Sequence, residues 1–107
     1  MPVYNKLVRD NIPVIIAKTG KEAHFRTLGE SEFLLEAKKK LHEELAEYEQ
    51  ANTDEEAVEE LADLLELIHA LAKQHGATVE QLENVRSEKA VKRGGFNEAL
   101  FLVEVAE

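Results

Sequence analysis

The chain has 107 residues, enough for one domain with one modest core, and its 44% hydrophobic and 33% charged composition is too apolar for a disordered segment. It has no cysteine, so disulfides, thiolate nucleophiles and cysteine-based zinc or iron–sulfur sites are excluded and a cytoplasmic setting is expected. Thirteen basic against 22 acidic residues leave a net charge of −9, which argues against DNA, RNA or an anionic membrane surface as a partner; no uncharged apolar run approaches the roughly 20 residues of a membrane span.

In chain order, Asp10 can cap a short helix over Ile12 to Lys18, with Pro13 in its first turn and Gly20 after its end. A long helix over about 31–51 is predicted from Ser31, because positions 34, 37, 41, 45 and 48 keep the three-and-four spacing of an amphipathic helix. Lys38, Lys39 and Lys40 read as its solvated face. Thr53 with Glu56 is a capping-box pattern. It opens a second long helix with Val58, Leu61, Leu65, Ile68 and Ala72 on one face, which runs to about Gln74 and stops at Gly76. Thr78 with Gln81 repeats the box and starts a third helix, with Val79, Leu82 and Val85 in phase, ended by Gly94-Gly95. Ala99 to Val105 predicts a terminal strand or a last helical turn. Both connections between the long helices are short, so the fold class is all-α: an antiparallel helical bundle in a single domain, 1–107, with short irregular or extended ends.

Two matched acid motifs interrupt this pattern. The first long helix carries Glu43-Glu44-Leu45-Ala46-Glu47 and the second Glu59-Glu60-Leu61-Ala62-Asp63. At about 100° per residue, Glu44 falls on the stripe of Ala37, Leu41 and Tyr48, and Glu60 lines up with Leu64, Leu67 and Leu71. Glu43 and Glu59 point outward. Acids in an apolar stripe are seldom left unpaired. The midpoint between the two acid pairs falls beside the turn at Asn52-Thr53, so an antiparallel hairpin sets them level and lets Glu44, Glu47, Glu60 and Asp63 converge. Four such carboxylates suit a hard divalent ion, Mg²⁺ or Mn²⁺, which completes its shell with water and substrate phosphates. Any one Glu-Leu-Ala-Glu segment is ordinarily a solvated face; two level pairs with acids in the core stripe are not. Glu66-x-x-His69 suggests a ferritin-like di-iron site, but the second Glu-x-x-His that such a site needs is missing, and His69 and His42 read as helix-boundary residues.

Glu44-x-x-Glu47 followed by Glu60-x-x-Asp63 resembles the paired signature of the all-α nucleoside triphosphate pyrophosphohydrolases, the MazG-like superfamily that includes phosphoribosyl-ATP pyrophosphohydrolase. Tyr4-Asn5-Lys6-Leu7-Val8-Arg9-Asp10-Asn11-Ile12-Pro13 is similar to the opening of a small stand-alone house-cleaning branch, and Lys89-Ala90-Val91-Lys92-Arg93-Gly94-Gly95-Phe96 to its closing motif. The branch more often has Lys at 11 and Glu at 14, where this chain has Asn11 and Val14. The resemblance implies Mg²⁺-dependent hydrolysis of a nucleoside triphosphate between the α and β phosphates, with Glu44, Glu47, Glu60 and Asp63 as the metal-holding catalytic set. It also implies phosphate binding by Lys89 and Arg93, and by Lys6 and Arg9. Without it, Lys89, Lys92, Arg93 and Gly94-Gly95 read as a basic last turn and a glycine cap. The alternatives are a phosphoribosyl-ATP substrate, or a catalytically silent helical module that binds a nucleotide or a protein. Short helices with apolar residues on more than one side point to a homodimer or homotetramer, with the basic ends of one chain reaching the site of another.

Overall fold

Two threonines set the helix starts that organise the chain. In the computed structural model, which describes residues 2–107, Thr53 accepts a hydrogen bond from the backbone N–H of Glu56 (3.1 Å), and the Glu56 carboxylate in turn accepts the N–H of Asn52 (3.1 Å). Thr78 and Gln81 form a complete capping box, at 3.0 and 2.8 Å. Four helices result: α1 (Ile12–Lys18), α2 (Glu30–Glu49), α3 (Asp54–Gln74) and α4 (Val79–Arg93). The architecture is an all-α helical bundle, with no strand among the described residues.

The helix stops follow the glycines. Gly76, after α3, and Gly94, after α4, have φ of +79° and +83°, a left-handed conformation that ends a helix at little steric cost. Three termini depart from expectation. The cap of α1 is Asn11, not Asp10, and no side chain bonds its first turn. The start of α2 is capped by Gly29 and not Ser31, again without a side-chain bond; Arg26 instead ties the preceding loop to Glu32 through two guanidinium–carboxylate contacts of 2.9 and 2.5 Å. Residues 99 to 105 form neither a strand nor a helical turn. Ala99 sits at φ +51°, which breaks any regular continuation, and no described segment pairs with the extended chain beyond it.

Packing is concentrated in one hairpin. Helix α3 lies against α2 along much of its length and against α4 far less, whereas α1 packs on none of the other helices. The radius of gyration is 18.3 Å, against about 13 Å for a compact domain of this length. Two stripes run along α3, about 100° apart. Ala57, Glu60, Leu64, Leu67 and Leu71 form the half-buried one; Val58, Leu61, Leu65 and Ile68 form the other, which is exposed until it reaches buried Ala72. The face marked out by the apolar spacing of α3 is therefore the outer stripe, and the stripe that contains Glu60 is the inner one.

The Thr78 box is the only complete reciprocal cap on these helices. Thr78→Ala is expected to cost about 1 kcal/mol and to lower the melting temperature by about 4–8 °C in a circular-dichroism melt.

Candidate metal centre

Glu44 is the centre of the site. It stands in the α2 stripe of Ala37 and Leu41, so the helix that buries that stripe must bury the acid as well, and it is only 7% exposed. Oxygens of Glu44, Glu60 and Asp63 lie within 4.8 Å of one another, and so do oxygens of Glu43, Glu44 and Glu47. Glu44 belongs to both groups and joins the acids of α2 to those of α3, as the level register of the hairpin predicts. The clustered acids can hold a metal ion. Their donors are all oxygen, and one buried oxygen each of Glu44 and Glu60, Oε2 in both, has no hydrogen-bond partner. An unpaired buried carboxylate oxygen facing other carboxylates is the condition that a hard cation relieves.

The electrostatics agree with the geometry. Burial pushes the Glu44 carboxyl up to about 7, reinforced by the neighbouring Glu47, Glu60 and Asp63 acids. Loss of hydration also raises Glu60, with Glu47 and Asp63 adding to the shift, while the neighbouring Glu44 carboxyl opposes it. Two cations enter the cluster. Arg9 Nη2 contacts Asp63 Oδ1 at 2.6 Å, bringing the N-terminal segment onto α3. Lys40 Nζ lies 3.7 Å from Glu44 and 3.9 Å from Glu43.

Of the residues singled out in the sequence, Glu44, Glu47, Glu60, Asp63 and Arg9 come together. Lys6, Lys89 and Arg93 do not: Lys6 sits over the Tyr4 ring, 5.7 Å from its centre, and neither Lys89 nor Arg93 pairs with an acid among the described residues. Glu43, expected to point outward, is exposed, and its carboxylate still lies near those of Glu44 and Glu47. Lys40, expected in the solvated face, has a side chain only 18% exposed and pairs with Glu44 one turn on. Its position was legible, since residue 40 falls one turn before 44 and one after 37 on the same stripe. Glu59 is exposed, as expected. No family model, curated protein or solved structure matches the chain.

The Glu44 carboxyl titrates near 7 in the fold against an ordinary value of 4.5, so protonation favours the metal-free folded state. That stabilisation is full below about pH 4.5 and is lost as pH rises through about 7. In EDTA, the melting temperature is expected to fall by several degrees between pH 5 and pH 8. Glu44→Gln should flatten this slope, and a divalent cation should restore the wild-type melting temperature at pH 8. A wild-type curve indifferent to both pH and cation would show that the acids are a solvated face.

Proposed function

We propose that the protein is a Mg²⁺-dependent nucleotide pyrophosphohydrolase that cleaves a nucleoside triphosphate to the monophosphate and pyrophosphate. The observation that carries this reading is buried Glu44, with an unpartnered carboxylate oxygen, set among Glu47, Glu60 and Asp63 across a helical hairpin. Its resemblance to the MazG-like signature, at those four residues and at both ends of the chain, supplies the reaction class.

The residues fit that chemistry. Glu44, Glu47, Glu60 and Asp63 would hold the ion, an all-oxygen set of the kind that Mg²⁺ or Mn²⁺ prefers. Bound there, the ion would neutralise the phosphate chain and lower the pKa of a water for attack on the α-phosphorus. Arg9, already beside Asp63, would offer its remaining guanidinium donors to phosphate oxygens in a planar fork. Lys40 would keep Glu44 ionised as the site loads. Lys6, Lys89 and Arg93 would serve the phosphates only in an arrangement that brings them to the acids. The fit of a divalent ion to a carboxylate cage favours this reading over a silent binding module, which has no need for a costly buried acid.

Two glutamines test it. Glu60→Gln keeps volume and helix propensity but removes one charge from the cage. Release of pyrophosphate, measured on a panel of canonical, modified and phosphoribosylated nucleotides with Mg²⁺, should fall by at least about 100-fold while the helical signal persists. Glu59→Gln, one position away and exposed, should retain activity within about twofold. Equal effects at 59 and 60, or no pyrophosphate from any nucleotide with wild type, would reject the catalytic role of the paired acids.

A further inference from the structure

Asp63 differs from the other two acids of its cluster in what holds its oxygen. Glu44 and Glu60 each keep a buried oxygen without a hydrogen-bond partner, whereas Asp63 Oδ1 accepts from Arg9 Nη2 at 2.6 Å. No other side chain of residues 2–11 forms an ion pair among the described residues. The segment is seated just before this contact: Leu7 and Val8 are half-buried, while Val3 and Tyr4 are 77% and 72% exposed. Arg9 thus hangs from a fixed point and ends on an acid of the cage.

That ion pair conflicts with a metal ion at the same acids. An ion bound to Asp63 Oδ1 at about 2.1 Å would stand within about 5 Å of the guanidinium nitrogen, and the two positive centres repel. Arg9 is the partner free to move. Its side chain is 57% exposed on irregular backbone, whereas Asp63 is fixed within α3. Once displaced, the guanidinium is a fork of donors without an acceptor, still held near the cage by Leu7 and Val8. A free ion leaves it in that condition; a polyphosphate arriving with the ion supplies the acceptor.

We propose that Arg9 latches Asp63 until both ligands arrive: it yields the carboxylate to the divalent ion and takes an oxygen of the polyphosphate carried by that ion. The cage then loads a metal–polyphosphate complex in preference to the free ion. The polyphosphate half rests on the catalytic reading, whereas the competition between Arg9 and the ion for Asp63 does not. Removing Arg9 therefore acts in opposite directions on the two ligands. Loss of structural support would weaken both, and loss of a simple phosphate contact would leave the metal alone untouched.

Binding to the full chain tests this without turnover. Mn²⁺ alone is followed by the loss of its free-ion electron paramagnetic resonance signal, and preformed Mg²⁺–tripolyphosphate, which carries no nucleoside, by calorimetry. Arg9→Gln is expected to bind Mn²⁺ at least about threefold more tightly than wild type, the order set by an exposed ion pair, and Mg²⁺–tripolyphosphate at least about fivefold more weakly, with the helical signal unchanged. Lys6→Gln takes a charge from the same segment but not from an acid, and should move the Mn²⁺ constant by less than about 1.5-fold. An Arg9→Gln protein with unchanged Mn²⁺ affinity, with a gain matched by Lys6→Gln, or with both affinities moving the same way would overturn the latch and leave the acid cage in place. Wild type that takes Mn²⁺ but not Mg²⁺–tripolyphosphate would also overturn the latch alone. Wild type that binds no Mn²⁺ would overturn the latch and the catalytic reading together, and the two expected shifts without pyrophosphate release from any nucleotide would support the latch and reject only that reading.

Discussion

The α2–α3 pairing has to keep one carboxyl, Glu44, out of water beside three other acids. Removing a charged group from water costs several kcal/mol even after the protein relaxes, and a leucine at this position would pack without that cost. Lys40 offsets part of it at 3.7 Å. Arg9 offsets another part through Asp63. Two cations among Glu44, Glu47, Glu60 and Asp63 leave at least two negative charges, which the metal-free protein can reduce only by keeping protons on carboxyls that would ordinarily be ionised. Proton uptake and cation binding are therefore alternative ways of relieving one electrostatic load, and the position of Glu44 couples both to helix packing.

This coupling depends on register. The acids of α2 meet those of α3 because the turn between the helices is short and its first hydrogen bonds are fixed locally by Thr53 and Glu56. Shifting the start of α3 by one residue would turn Glu60 by about 100° and carry it out of the inner stripe. A modest cap thus controls the geometry of a strongly charged cluster. The same helix carries a second apolar stripe a quarter-turn round, so α3 is built to be enclosed on two sides and is enclosed on one.

What was legible in the sequence was mostly local or set by the turn. The Thr78–Gln81 box, the stops at Gly76 and Gly94, and the level acid pairs all follow from residues a few positions apart, combined with one hairpin. Side-chain reach was less legible. Phase gives the direction of a Cα–Cβ bond, whereas the carboxyl of Glu43 lies several bonds further out and comes near Glu44 and Glu47 from the exposed side; Lys40 keeps the spacing of Ala37 and Glu44, and it was the run of three lysines that hid it. At α1 the acid Asp10 looked like a cap, yet the chain turns one residue later, with the Ile12 N–H bonded to the Arg9 carbonyl. The segment from Ala99 to Val105 has the apolar character of a strand but no partner among the described residues, and strand pairing is a property of two segments. The outer stripe of α3 was visible as a face; periodicity could not say that α2 takes the other one.

Arg9 and Lys40 differ in a way that separates structure from recognition. Lys40 and Glu44 are both largely buried, so their interaction is poorly screened and moves with the packing of α2 on α3. Arg9 and Asp63 are 57% and 38% exposed at their side chains, and an ion pair so open to water contributes no more than about 1 kcal/mol. That pair is cheap to break despite its short contact. A carboxylate held this lightly can turn to a cation, and the guanidinium it releases remains tethered beside the site by the N-terminal segment. On the proposed reading this matters because a chain of net charge −9 repels a polyphosphate at long range. Attraction must arise at short range, from charges that change partner as the ligand arrives, and the exposed Arg9–Asp63 pair is one the fold can exchange without disturbing its buried neighbour.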